Sequence, residues 1–370
     1  MVWRYASARR VCLVLTTSFL ALCDVSVAQN SSVQIKAEIG RLQQSLKQKP
    51  ISSPAFPEVS GMLQNALGGA TDALAAGLPY AALEKLGHAS DLLQGTRVAI
   101  DRADAVKAGL PAFEAEWNKA NLELTSTGAK AKDRDWGKST AALRAISETA
   151  QARVMPLLEG GRGFALSTQP QDGLLYVGEA QGEGEFAAFV ASLSEQRKAA
   201  PVVLRSFLPE LHRLQEKTNA AFQPPRSIDQ HPRFIALNST LKLAAELDAT
   251  RSYAGALYQY LEATRHYGML EASVPDETGK EKLKGIVAAK LNEIRTSQQD
   301  DSIAQIFLER AQTYLHHTDG SAPDNDEWRS AQVIMDQVLP AYYRALKPAA
   351  PLQHASGKTV TLTLVRWPYT

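Results

Sequence analysis

Apolar and alanine positions recur three and four residues apart along almost the whole chain, separated by short glycine, proline and aspartate breaks. That spacing gathers apolar side chains on one face of an α-helix, so a chain written this way must bury stripe against stripe. Alanine is abundant and runs of β-branched residues are scarce, which suits closely packed helix pairs better than a sheet. The expected fold is mainly α, with antiparallel helix hairpins in a repeat-like array or bundle. Helices are predicted over 32–48, 57–75, 79–94, 96–108, 111–124, 135–158, 174–181, 185–197, 201–221, 233–250, 253–270, 278–296, 301–317 and 325–346.

Two stretches depart from this period. Gly160-Gly161-Arg162-Gly163 and the residues that follow to Asp172 break the periodicity and read as a linker or short strand. Lys358 to Trp367 alternates polar and apolar residues and is rich in Val, Thr and Leu, the pattern of a β-strand. A lone strand leaves its backbone groups unpaired, so this one needs an edge, either Phe164–Thr168 or a strand on another protein. The expected organisation is a signal peptide over 1–28, an N-terminal helical region over 29–160, a linker or strand over 161–173, a C-terminal helical region over 174–347, and an extension over 348–370.

Arg4, Arg9 and Arg10 precede an apolar run from Val11 to Leu22, and Ser26-Val27-Ala28 supplies small residues where a signal peptidase cuts. This predicts an exported protein, periplasmic or extracellular, cleaved after Ala28. The alternative is a lipid anchor at Cys23, although Leu22 stands where that processing wants a small residue. Cys12 and Cys23, both cysteines of the chain, fall inside the segment to be removed, which leaves no disulfide and no thiolate metal site. No later stretch is long and apolar enough to span a membrane. With a formal charge of +1 and no basic stripe interleaved with aromatics, nothing favours nucleic acid as a partner.

Within Leu243–Ala263, the residues Ala244, Ala256, Tyr260 and Ala263 follow one another at spacings of twelve, four and three, and Ala70, Ala82, Leu86 and Ala89 repeat the same register with Gly77 between. Ala304, Leu308 and Ala311 form a partial third set, with Asn292 in place of the first small residue, and Ser139, Leu143 and Ile146 a fourth. This pattern resembles a tetratricopeptide repeat, although Gly268 stands where that family has its closing proline. The resemblance covers about a third of the chain. It implies a concave face, lined by the first helix of each hairpin, that holds a peptide or partner protein. Asn238, Lys242, Glu246 and Arg251 would lie on that face. Tyr258 and Tyr267 join them as binding candidates, because Tyr253 and Tyr260 read as packing positions. The implied function is a non-enzymatic interaction scaffold of the cell envelope, with an envelope hydrolase using dispersed carboxylates, or a small-molecule carrier, as the alternatives.

Motifs for other chemistry dissolve on inspection. Gly137-Lys138-Ser139-Thr140 lacks the upstream glycine and strand of a phosphate loop and reads as a helix start. His316 and His317 point about 100° apart on a helix, so at most one shares a face with Glu309. His212 and Glu216 read as a solvated pair, and Asp324-Asn325-Asp326-Glu327 as a helix N-cap rather than a calcium loop. No cofactor is implied and no catalytic set stands out. The isolated Trp117, Trp136, Trp328 and Trp367 are expected in the core.

Overall fold

The computed structural model describes residues 31–51, 56–132, 134–137, 139–167, 170–193, 199–223, 228–317 and 320–347. They form helices packed against one another: α1 (31–48), α2 (Val59–Ala75), α3 (Pro79–Asp101), α4 (Leu110–Lys132), α5 (Ala141–Ser167), α6 (Pro170–Ser192), α7 (Leu208–Ala221), α8 (His231–Ala249), α9 (Tyr253–Glu271), α10 (Glu277–Arg295), α11 (Ser302–Leu315), α12 (Asn325–Val333) and α13 (Leu339–Leu346). Among the described residues no strand forms, and extended pairing is limited to one parallel bridge between Ala200 and Gln299. One apolar core contains Ile35 of α1, Leu83 of α3, Ala145 of α5, Leu257 of α9, Phe307 of α11 and Tyr342 of α13. The predicted signal peptide and the C-terminal extension with its strand lie outside the described residues.

The hairpin pattern is a matter of geometry as well as composition. Gly77 between α2 and α3 and Arg251 between α8 and α9 both adopt left-handed backbone, with φ of 72° and 61°. Each is followed by the same helix-ending bond, from Leu78 N–H to the Ala73 carbonyl and from Ser252 N–H to the Leu247 carbonyl, both 2.9 Å. The small residues of the repeat register, Ala70, Ala82, Ala89, Ala244, Ala256 and Ala263, are all fully buried where the paired helices cross.

Several expected breaks are not breaks. Helix α3 passes through Gly95, α6 runs unbroken past Gly182 and Gly184, and α5 continues through Gly160–Gly163 to Ser167. The linker or strand expected over 161–173 is therefore helix up to Ser167 and again from Pro170, and Phe164 offers no strand edge. The reason is packing. A Cβ on Gly178 would sit 2.5 Å from the Gln94 carbonyl and 2.7 Å from the Gly95 Cα, and one on Gly173 would sit 2.5 Å from the Gly161 carbonyl. Only hydrogen at these points lets α6 lie directly against α3 and α5, and that burial outweighs the low helix propensity of glycine.

The expected helix over 201–221 begins late, at Leu208. Pro201 holds Ala200 out of the helical region, and Asp248 on α8 accepts bonds from Phe207 N–H (2.6 Å) and the Ser206 hydroxyl (2.8 Å), fixing the end of the non-helical segment 201–207. The single helix expected over 325–346 keeps its course but contains a π-turn at Ile334–Val338, just before Pro340, whose missing N–H deprives the preceding turn of a donor. The acidic run at its start behaves as read. Asp324 and Glu327 each accept a 2.8 Å bond from the other's backbone N–H and close a capping box.

Most other helices lack a local side-chain cap. Distant acids serve instead. Glu309 of α11 accepts from Tyr80 N–H (2.8 Å) and Ala81 N–H (3.2 Å) at the start of α3. Asp300 accepts from Ala141 N–H at the start of α5, and Glu148 of α5 from Gly255 N–H at the start of α9, both at 2.8 Å. Each carboxylate satisfies orphan donors at the positive end of a helix dipole, which ties the array together through groups far apart in sequence.

Candidate functional site

Helices α3, α5, α6, α9 and α11 leave between them an open cleft of about 780 Å³, with α2 and α8 at its edge. On its floor Arg310 of α11 lies between Glu84 of α3 and Glu262 of α9 and bonds to both. The same guanidinium donates to Tyr258 Oη at 2.9 Å, Tyr258 Oη donates to Glu84 Oε1 at 2.7 Å, and Arg265 Nε donates to Glu262 Oε2 at 2.8 Å. Two cations and two carboxylates close a neutral network out of bulk water, the condition under which buried charge is tolerated. Burial alone would push Glu262 upward, but Arg310 and Arg265 outweigh it and hold its carboxyl well below the usual carboxylate range. Burial and the neighbouring Arg265 charge push His266 down to about 4, so that it faces the cleft as neutral imidazole at pH 7.

A second lobe of about 570 Å³ adjoins the first and shares His88, Asp91, Arg153 and Glu183 with it. Its walls add Leu92, Pro156, Leu157, Tyr176 and Leu243, so an apolar hollow continues from a charged one. At the junction Arg153 Nη1 donates to Glu183 Oε1 at 3.2 Å. The Glu183 side chain is 5% exposed, whereas half of the Arg153 side chain remains open although the walls surround it. Asp91 lies beside Glu183, and burial together with the Glu183 charge raises its carboxyl far above the usual range.

Thr149 of α5 and Gln259 of α9 also line the cleft. They are 4% and 3% exposed, and Thr149 Oγ1 and Gln259 Nε2 have no hydrogen-bond partner. Thr149 is an exception among helical threonines, since Thr71, Thr96, Thr218, Thr240 and Thr264 each bond the carbonyl one turn back.

The six binding candidates, four of them expected on a concave face, do not gather at one place. Tyr258 is in the floor network, and Lys242 and Glu246, 3.9 Å apart, line the second lobe. Arg251 lies across α8, in a separate hollow of about 910 Å³ that Glu246 also borders, with Trp136, Arg144 and Glu148. Asn238 accepts from Gln215 of α7 (3.1 Å), and Tyr267 packs on the small apolar cluster of α7, α8 and α9. Asp91, Arg153, Glu183 and Arg310 were not foreseen, because charges on a helix ordinarily read as a solvated face. One signal was present: α3 and α6 carry buried residues all the way round, a setting in which a charge needs an explanation.

The histidines singled out by sequence go to surface bonds. His317 bridges Ser321 (2.7 Å) and Glu327 (2.9 Å), and His316 contacts Gln312 (3.1 Å), while Glu309 is buried at the start of α3. Trp117 and Trp328 are buried, and Trp117 Nε1 donates to the Leu158 carbonyl at 2.8 Å. Among the described residues no helix is long and apolar enough to cross a membrane. The fold thus defines an all-helical array with a two-lobed groove. No protein-family model, curated protein or solved structure matches the chain.

Proposed function

We propose that this chain is a non-enzymatic binding protein of the cell envelope, built from tetratricopeptide-like hairpins, that holds a peptide or an extended segment of a partner protein in the two-lobed groove. The carrying observation is the junction itself: a charged lobe and an apolar lobe share His88, Asp91, Arg153 and Glu183, so one ligand can present a polar group and an apolar side chain side by side. The common left-handed turn at Gly77 and Arg251 supports the repeat reading. A carrier of an apolar small molecule would want an enclosed apolar pocket, and the larger lobe is charged and open.

Filling the groove tests the reading. Tagged wild type recovers a partner from its native envelope fraction, and Leu157→Trp with Leu243→Trp loses it while keeping a helix-dominated circular dichroism spectrum. Equal recovery by the filled variant would place binding elsewhere and defeat the reading. Mass spectrometry of the mature N-terminus checks export: a start at Gln29 supports cleavage, and a lipid on Cys23 replaces a free protein with a tethered one.

One observation favours a second reading, an envelope hydrolase. Asp91, whose carboxyl is pushed up by burial and by the Glu183 charge, stands beside Glu183 in an open groove, a pairing suited to general acid and base catalysis. Turnover of envelope peptides or glycans that Asp91→Asn abolishes would establish it.

A further inference from the structure

The groove holds more acid than its own cations balance. Asp91 of α3 and Glu179 and Glu183 of α6 line the second lobe together; burial raises all three carboxyls, and the Glu183 charge adds to the rise of Asp91 and Glu179. The other titratable groups lining this second lobe are His88 of α3, Arg153 of α5, Tyr176 of α6, and Lys242 and Glu246 of α8. Lys242 and Glu246 offset each other, and Arg153 is already bonded to Glu183. Positive charge is what the junction lacks. A bare metal ion is a poor candidate, since no group of three His, Cys, Asp or Glu residues among those described has the placement to hold one. An organic cation suits the surroundings better, because Leu92, Leu157 and Leu243 stand beside the acids and offer a wall for an apolar stem.

Resting on the peptide-binding reading, we infer that the junction of Asp91, Glu179 and Glu183 receives a primary ammonium or guanidinium group on an apolar stem, the side chain of a lysine or arginine in the bound peptide. The cation takes the place of the proton on Asp91, which leaves to water, so both carboxyls of the pair are ionised in the complex. Thr149 Oγ1 and Gln259 Nε2, buried without partners in the adjoining lobe, are then free to meet the peptide backbone.

A random hexapeptide display library selected against the full chain tests this, followed by anisotropy measurements on the best peptide. Lysine or arginine should be enriched at one position, and replacing it by norleucine should weaken binding at least about tenfold. Asp91→Asn and the more peripheral Glu179→Gln should lower affinity for the cationic peptide and leave the norleucine peptide unaffected. Calorimetry in buffers of different ionisation enthalpy should register a proton released on binding. Selection of acidic or uncharged peptides, bound equally by Asp91→Asn, overturns the cation and leaves the peptide reading standing. Failure to select any peptide, with hexylamine still bound in an Asp91-dependent manner, overturns the peptide source and keeps the cation chemistry. No binding of either overturns both.

Discussion

Tyr258 and Glu84 stand at the same position in two helix hairpins, equally far beyond the left-handed residues Arg251 and Gly77, and they meet: Tyr258 Oη donates to Glu84 Oε1 at 2.7 Å. Two hairpins distant in the chain thus touch at equivalent points, and the second helices of both, α3 and α9, line the cleft. The contact is polar and lies on the floor of the cleft, above an apolar core. Arg310 lies between them and makes the charges balance.

Arg310→Met should destabilise the protein by about 3–5 kcal/mol, because it strands Glu84 without a cation and leaves Glu262 with Arg265 alone. Adding Glu84→Gln should recover part of that loss by removing the stranded charge. Urea unfolding midpoints of the three proteins decide it, and a single variant as stable as wild type would show the network to be dispensable.

Gly178→Ala should cost about 1–3 kcal/mol, since the new methyl would press on the backbone of Gln94 and Gly95, which cannot turn aside as a side chain could. Gly160→Ala, where a Cβ meets nothing within 4 Å, is the matched control and should be neutral or slightly stabilising. Thermal melts of the pair separate close approach from helix propensity.

Arg251→Gly should raise stability by roughly 0.5–1 kcal/mol. Relief of the left-handed strain on a residue with a Cβ exceeds the added freedom of glycine in the unfolded chain. A lower melting temperature would mean that the Arg251 side chain supplies more than its backbone loses.

Glu309→Gln should flatten the dependence of stability on pH between about 5 and 7. Burial pushes the Glu309 carboxyl up to about 7, against the opposing bonds from Gln305, Ala81 and Tyr80. The folded state therefore holds a proton that the unfolded chain has released above about 4.5. Stability from this group is greatest in acid, falls as pH rises through 7, and is level beyond. Denaturant midpoints for wild type minus variant, taken at pH 5, 6, 7 and 8, should show that decline; a difference that grows with pH would reverse the sign.

Elements whose cause is local were legible along the chain. The apolar spacing placed α2, α9 and α10 to within a few residues, the run Asp324–Glu327 marked a capped helix start, and the register Ala70–Ala82–Ala89 marked a tight hairpin. Each of these depends on neighbours within a turn or two, which is the range over which helix periodicity, capping and chain reversal operate. Tyr258, Lys242 and Glu246 were reached through the repeat pattern, and they line the groove.

Contacts between distant segments decided the rest. Gly95, Gly161 and Gly182 look like helix breaks when only local propensity is weighed, and they are helix crossings because a second helix lies against each. Glu309, Glu148 and Asp300 look like solvated acids, yet each caps a helix from elsewhere in the fold. Asp91, Arg153, Glu183 and Arg310 become a site only when α3, α5, α6 and α11 converge. Nothing within a helical turn of any one of them records the approach of the others, and burial and charge balance are properties of that approach.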